Sequence, residues 1–152
     1  MTEVTERQLE DMEALFVQTA ASLTSDRATI TLHGLSPSTL YFADRPQRDV
    51  GHMMSRQFVA NWEEGDNSFA KNPPNAVLSF AEPGDRLPED AVVVIQDPRM
   101  DGDALTYNIE LLEGTVPAAT GPCALFIDPF GRPLSPVSAA GMHRRARRRR
   151  LR

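Results

Sequence analysis

The first apolar pattern in the chain has the period of a helix. Thr5 and Gln8 have capping-box spacing, and Glu6 stands in what would be the first turn. Apolar residues then recur at three- and four-residue steps and would share one helix face: Leu9, Met12, Phe16, Ala20 and Leu23. The pattern predicts an amphipathic helix over Thr5–Leu23, within an N-terminal unit of residues 1–24.

From Ala28 onward, short apolar or alternating segments predict strands. There are six: Thr29–His33, Thr39–Ala43, Ala76–Phe80, Ala91–Ile95, Ala104–Leu112 and Ala124–Asp128. The turn residues Gly34–Pro37 predict that the first two strands form a hairpin, and Asp101-Gly102 predicts another hairpin later on. Val92–Ile95 is apolar on both faces, which favours a central strand covered on both sides.

One short helix is predicted between these strands. Ser55 can cap a helix over Arg56–Glu64, and Gly65 can end it. Phe58, Val59 and Trp62 would share the side that packs on the core.

These elements predict a mainly β fold. We expect a β-sandwich or partly open barrel of about six strands, with the N-terminal helix and the short inserted helix; α+β is the alternative. A chain of 152 residues with twelve prolines fits a single β-rich domain, residues 28–130. Residues 131–152 are predicted to be an extended, proline-containing arm and a basic tail.

The net charge of −5 hides a strong division. Seven of the sixteen basic residues lie in the last eleven positions: Arg144, Arg145, Arg147, Arg148, Arg149, Arg150 and Arg152. The remaining nine basic and 21 acidic residues give the rest of the chain a net charge of −12. The tail could bind an anionic partner by counterion release. Specific nucleic-acid binding is disfavoured, because the rest of the chain is acidic and the tail has no aromatic residues for base stacking.

The strongest candidate site lies between Leu40 and His52. A short apolar run ends there in Asp44, Arg45, Arg48 and Asp49, with His52 close behind. In a functional interpretation Arg45, Arg48 and Tyr41 hold an anionic ligand, while His52 and Asp44 are the catalytic candidates. In a structural interpretation the same charges pair with one another or with loop carbonyls.

Metal and nucleophile chemistry have little support in the sequence. His33, His52 and Asp44 could form a metal site only if the fold brings them together, and no ligand spacing supports one, so no metal or other cofactor is predicted. The segment Asp97–Asp103 departs from the calcium-loop pattern and is interpreted as an acidic turn. Cys123, the only cysteine, is predicted to be a buried strand residue.

The block between Ser36 and Ser79 resembles a family of small uncharacterised bacterial proteins. The likeness rests on Leu-Tyr-Phe-Ala-Asp-Arg-Pro, Gly51-His52, Phe58, Asn61-Trp62, Ser68-Phe69 and Asn72–Ser79, and extends over roughly residues 29 to 137. The resemblance implies the domain boundaries and, since members often carry an export signal, an exported or periplasmic protein. It assigns no catalytic residue. The acidic N-terminus departs from an export signal and favours the cytoplasm instead.

Three functions follow as hypotheses. The favoured one is a non-enzymatic binding or structural domain, because no nucleophile–base pair, metal spacing or phosphate loop is present. The second is a small enzyme or anionic-ligand binder that uses Asp44, Arg45, Arg48 and His52. The third is an adaptor that binds an anionic partner through the arginine tail.

Overall fold

The computed structural model describes residues 13–45, 48–64, 68–81 and 88–128, and within them one antiparallel sheet dominates. The elements in chain order are β1 Glu13–Ala20, β2 Ser22–Ser25, β3 Thr29–His33, β4 Ser38–Arg45, β5 Asp49–Met54, α1 Ser55–Ala60, β6 Asn75–Phe80, β7 Glu89–Asp101, β8 Ala104–Glu113, β9 Ala119–Thr120 and β10 Cys123–Asp128. The mainly β prediction is confirmed.

The predicted N-terminal helix is wrong over the described residues, where the chain forms β1 and β2. On β1 the even-numbered residues, such as Ala14 and Phe16, face the core and are fully buried, as a strand period of two requires. A four-residue spacing is a multiple of two, so Phe16 and Ala20 satisfy a strand as well as a helix. The predicted start at Thr5 lies outside the described residues.

Within the described residues the sheet is open and has ten strands, whereas the predicted β-sandwich or partly open barrel had about six. Its strand order is β5-β4-β1-β10-β6-β7-β8-β3-β2-β9. All six predicted strands are present, while β1, β2, β5 and β9 are additional. Strands β1 and β2 are third and ninth in the sheet, yet only Ala21 separates them along the chain, so the sheet curls back on itself at Ala21.

The predicted hairpin between Thr29–His33 and Thr39–Ala43 is wrong. Strand β3 pairs with β2 and β8, whereas β4 pairs with β1 and β5. The residues between them cross the curled sheet: the Leu35 amide donates to the Asp103 carbonyl at 2.9 Å, and the Ser36 amide donates to the Thr19 carbonyl at 2.9 Å. The turn residues Gly34–Pro37 thus lie in a crossover between β3 and β4, not in a hairpin turn.

The hairpin predicted around Asp101-Gly102 is confirmed between β7 and β8. Asp101 lies opposite Ala104, and Gly102 has a φ of 62°, a conformation that glycine adopts without strain. Val92 and Val93 are both buried although they point to opposite faces of β7. The prediction of a central strand covered on both sides is therefore confirmed.

The short helix α1 is shorter than predicted and has a different start. It spans Ser55–Ala60, and its N-cap residue is Met54, whose side chain forms no capping hydrogen bond. The Ser55 hydroxyl donates to the Ser36 carbonyl instead of capping the helix. Phe58 and Trp62 are buried as predicted, and Val59 is half-buried. The Phe58 ring lies 5.3 Å from the Phe16 ring and 5.9 Å from Trp62, between centroids, so α1 is held to β1 by aromatic contacts.

In the described part of the chain, no helix combines the length and the apolar character needed to span a membrane.

Candidate functional site

The residues predicted as catalytic or ligand-binding all belong to one hairpin, formed by β4, β5 and the residues that connect them. The register places Phe42 opposite Val50, Leu40 opposite His52 and Tyr41 opposite Gly51. Side chains alternate between the faces of a strand, so the hairpin presents one face to the core and the other face outward. Ala43 and Met53 are buried on the inner face.

The outer face of this hairpin is apolar and exposed. Of the six large apolar side chains that are exposed in the described residues, four lie there: Leu40 (41%), Phe42 (49%), Val50 (65%) and Met54 (40%). We call these four residues the hairpin patch. The other two, Leu111 and Leu112, lie on β8. Contiguous exposed apolar groups of this kind are typical of interaction surfaces.

The hairpin patch is the exposed end of a longer apolar row on the same face of the sheet. Leu40 lies opposite Val17 of β1, and the registers continue the row through Phe126 and Val77 to Val92. Val77 and Val92 are buried at 3% and 5% exposure and form a cluster separate from the main core. The row is therefore covered at its β7 end and open at the hairpin.

Strand β5 is also an edge of the sheet. Among the described strands it pairs with β4 alone. Along an edge strand, alternate backbone N–H and C=O groups point away from the sheet and can pair with a further strand. The hairpin therefore offers both apolar side chains and backbone hydrogen-bonding groups.

A buried chain of polar side chains holds the hairpin to the rest of the sheet. Tyr107 donates from its hydroxyl to Gln18 Oε1 at 2.8 Å, and Gln18 Nε2 donates to Thr39 Oγ1 at 3.2 Å. The hydroxyls of Thr39 and Ser55 lie 2.8 Å apart, and Ser55 also donates to the Ser36 carbonyl at 2.9 Å. Gln18, Thr39 and Ser55 are fully buried, so the bonds among the side chains are formed away from water.

Tyr41 lies on the inner face of the hairpin, across β5. A Cβ atom built on Gly51 would lie 2.7 Å from the Tyr41 hydroxyl, so only glycine leaves space for the ring there. Burial raises the pKa of Tyr41, and the neighbouring charge of Asp49 and the hydrogen bond to that carboxylate raise it further. The Tyr41 hydroxyl is thus engaged by Asp49 within the hairpin.

The register separates the two catalytic candidates. His52 is exposed and lies opposite Leu40, while Asp44 is four residues further along β4, or about 13 Å at strand spacing. Phe42 and Val50 lie between them. The side chains of Asp44 and Arg45 lie outside what the structure describes, and Arg48 is exposed at the start of β5. The catalytic and anion-binding roles of these residues stay predictions.

The remaining candidates are placed as follows. His33 lies on β3, where its Nε2 is 2.8 Å from the Thr24 hydroxyl. The described residues contain no group of three His, Cys, Asp or Glu side chains that could hold a metal ion. Cys123 is buried in β10, as predicted, and burial raises the pKa of its thiol to about 11. The arginine tail, Arg144 to Arg152, lies outside the described residues.

A second feature, which the sequence did not indicate, is a cavity of about 360 Å³ between the end of α1 and β7. Its lining combines apolar and charged side chains: Val59, Trp62, Glu63, Ala70, Asp97, Pro98 and Arg99. The register of β7 shifts between Gln96 and Arg99, and Asp97 there has a φ of 52°. Such a left-handed conformation is uncommon outside glycine, although aspartate tolerates it better than most residues.

Hydrogen bonds hold this bulge in place. Arg99 donates from Nη1 to the Asp97 carbonyl at 2.8 Å and from Nη2 to Asn108 Oδ1 at 3.0 Å. Asn108 Nδ2 in turn donates to Asp97 Oδ2 at 3.0 Å. These bonds, one of which goes to the Asp97 backbone carbonyl, join the three residues in a ring that orients the Arg99 guanidinium at the edge of the cavity.

The sequence contained a signal for the bulge that the strand pattern alone did not reveal. Pro98 interrupts a strand-like run, and a proline inside a strand is confined to an edge or a bulge. Strand β5 was missed because Gly51 and His52 break the apolar alternation of Val50 and Met54.

Comparison with known proteins adds no assignment: no family model, curated protein or solved structure matches this chain. The resemblance stated for residues 29 to 137 stays a prediction, and the function rests on the geometry alone.

Proposed function

We propose that this protein is a non-enzymatic binding domain that receives an extended segment of a partner polypeptide at the hairpin of β4 and β5. One observation carries the proposal: the hairpin patch, four exposed apolar side chains on one face, lies beside the edge strand β5. An edge with this composition favours aggregation unless it has a partner, which is why soluble proteins usually block such edges with charges or bulges.

An extended segment fits this surface better than a helix or a small molecule. An added strand pairs its backbone with β5, which supplies affinity, and places alternate side chains on the patch, which supplies specificity. Small ligands are instead held in concave cavities that cover most of their surface. The outer face of a two-stranded hairpin does not enclose a ligand in that way.

The charges around β5 indicate which partner segment fits. Arg48 precedes the strand and Arg56 follows it, and both are exposed. Asp49, the acid of β5, accepts the hydrogen bond from Tyr41 on the inner face. Residues of an added strand that face the patch alternate with residues that point away. The matching segment therefore places apolar side chains opposite Val50 and Met54, on either side of the position that faces His52, and acidic residues near its ends.

The test is a selection of ten-residue peptides from a random display library on the immobilised protein. We expect enriched peptides with alternating apolar residues and flanking acids. The variant Phe42→Ser/Val50→Ser should lose at least tenfold in affinity for them, since burying each apolar side chain contributes about 1.5–3 kcal/mol. Both side chains point outward, so the variant should still fold.

The matched control is Leu111→Ser/Leu112→Ser, which removes the other two exposed apolar side chains and should bind the peptides as the wild type does. Equal loss in both double variants would contradict the proposal, because binding would then follow general surface hydrophobicity. Concentration-dependent self-association through the patch, without peptide enrichment, would identify a second copy as the occupant and would also contradict it.

A further inference from the structure

The cavity beside α1 has the composition of a ligand site that is independent of the hairpin. Its volume of about 360 Å³ is at the lower end of the range for small-molecule sites, roughly 300–1,000 Å³. Val59, Ala70 and Pro98 supply an apolar lining around the edge of the Trp62 ring. This lining fits a short aliphatic chain.

The charged groups at this cavity are of both signs and do not neutralise one another. Glu63 and Arg99 both line it, and within the described residues neither forms an ion pair. Arg99 uses one N–H of each terminal nitrogen for the Asp97 carbonyl and Asn108, so each terminal nitrogen keeps a second N–H for a ligand. Glu63 is exposed and forms no hydrogen bond within the described part of the chain.

The ring formed by Arg99, Asn108 and Asp97 makes the cation a prepared binding group. A guanidinium held at two points loses little side-chain freedom when it binds a carboxylate. The left-handed backbone of Asp97 is the kind of conformation that a protein retains where the surrounding contacts require it. Here those contacts are the bonds that orient Arg99.

We infer that this cavity binds a small zwitterion with an apolar side chain, of the class of free aliphatic α-amino acids. The carboxylate pairs with Arg99, the ammonium group pairs with Glu63, and the aliphatic side chain lies against Val59, Ala70 and Pro98. Asp97 also lines the cavity, but its carboxylate already accepts a hydrogen bond from Asn108. Arg99 and Glu63 are the charged groups left for a ligand. A ligand with one charge would satisfy one of them, whereas a zwitterion satisfies both.

The experiment is an NMR titration of the full-length, isotope-labelled protein with three compounds that share the branched 3-methylbutyl chain. They are L-leucine, 4-methylpentanoate, which lacks the ammonium group, and 3-methylbutylamine, which lacks the carboxylate. We expect L-leucine to bind at least tenfold more tightly than either analogue, with shifts at Trp62 and Arg99, because each analogue leaves one charged group of the cavity without its pair.

Two variants assign the charges separately. Arg99→Gln should weaken L-leucine about tenfold and leave 3-methylbutylamine unchanged, whereas Glu63→Gln should weaken L-leucine and leave 4-methylpentanoate unchanged. Glu63 is exposed, so its variant stays interpretable even where Arg99→Gln alters the bulge. Arg56→Gln and Glu110→Gln, which change exposed charges that do not line the cavity, are the matched controls and should bind as the wild type does.

Absence of saturable binding, equal affinity for all three compounds, or unchanged affinity in Glu63→Gln would overturn the inference. Phe42→Ser/Val50→Ser should bind L-leucine normally, so failure at the cavity and failure at the hairpin are separate results.

Discussion

Gly51 decides how the hairpin of β4 and β5 is built. The Tyr41 ring lies across the strand at this position, and its hydroxyl reaches Asp49. An added Cβ would lie 2.7 Å from that hydroxyl and 2.9 Å from the adjoining ring carbon. Because this contact is shorter than van der Waals separation, a side chain at position 51 must shift the Tyr41 ring away from its place beside Asp49.

The substitution Gly51→Ala should therefore lower the free energy of unfolding by about 1–3 kcal/mol, as overpacking does. Urea denaturation followed by tryptophan fluorescence measures it. Gly121→Ala is the control, because nothing lies within 4 Å of its added Cβ, and it should change stability by less than about 0.5 kcal/mol. If Gly51→Ala costs as much in a Tyr41→Ala background as in the wild type, the ring is not the cause.

At the scale of elements, the buried polar chain couples β1, β4 and α1. Thr39 is its central member, bonded to Gln18 on one side and to Ser55 on the other. Valine has nearly the shape of threonine but cannot hydrogen bond. Replacing Thr39 with valine would leave the Gln18 amide and the Ser55 hydroxyl each with one hydrogen-bond partner fewer, in a site closed to water.

We expect Thr39→Val to destabilise the protein by about 1–3 kcal/mol, the cost of buried polar groups that lose a partner. Thermal and urea unfolding measure the change. Thr31→Val is a matched control on β3, where the hydroxyl bonds Thr106 in a half-buried position, and it should cost less. A smaller loss for Thr39→Val than for Thr31→Val would show that the buried chain does not hold the hairpin.

The sequence predicted strands well where apolar and polar residues alternate, as in Thr29–His33, whose observed bounds are the same. It failed at β1, where Phe16 and Ala20 fit both periods. The sequence pattern did not predict the strand order, because the sheet pairs β1 with β10, which is more than a hundred residues away along the chain. The candidate hairpin was found through its charges, whereas the exposed apolar face depends on β5 being an edge strand.

At the scale of the whole molecule, the curled sheet separates the two proposed surfaces. The hairpin patch lies on the outer face at the β5 edge, and the cavity lies between α1 and the bulge of β7. The outer apolar row is buried at Val77 and exposed at Leu40, so one face changes from packed to accessible across the sheet. The acidic body and the arginine tail add a charge division whose role stays a prediction.

Hydrogen–deuterium exchange of residues 49–54 tests the central claim, that β5 receives an added strand. A peptide selected on the wild-type protein, at saturating concentration, should slow exchange there about tenfold or more, because new backbone bonds protect the outward amides. The same peptide should leave exchange unchanged in Phe42→Ser/Val50→Ser. Unchanged exchange at residues 49–54 in the wild-type protein, with the peptide bound, would contradict the account.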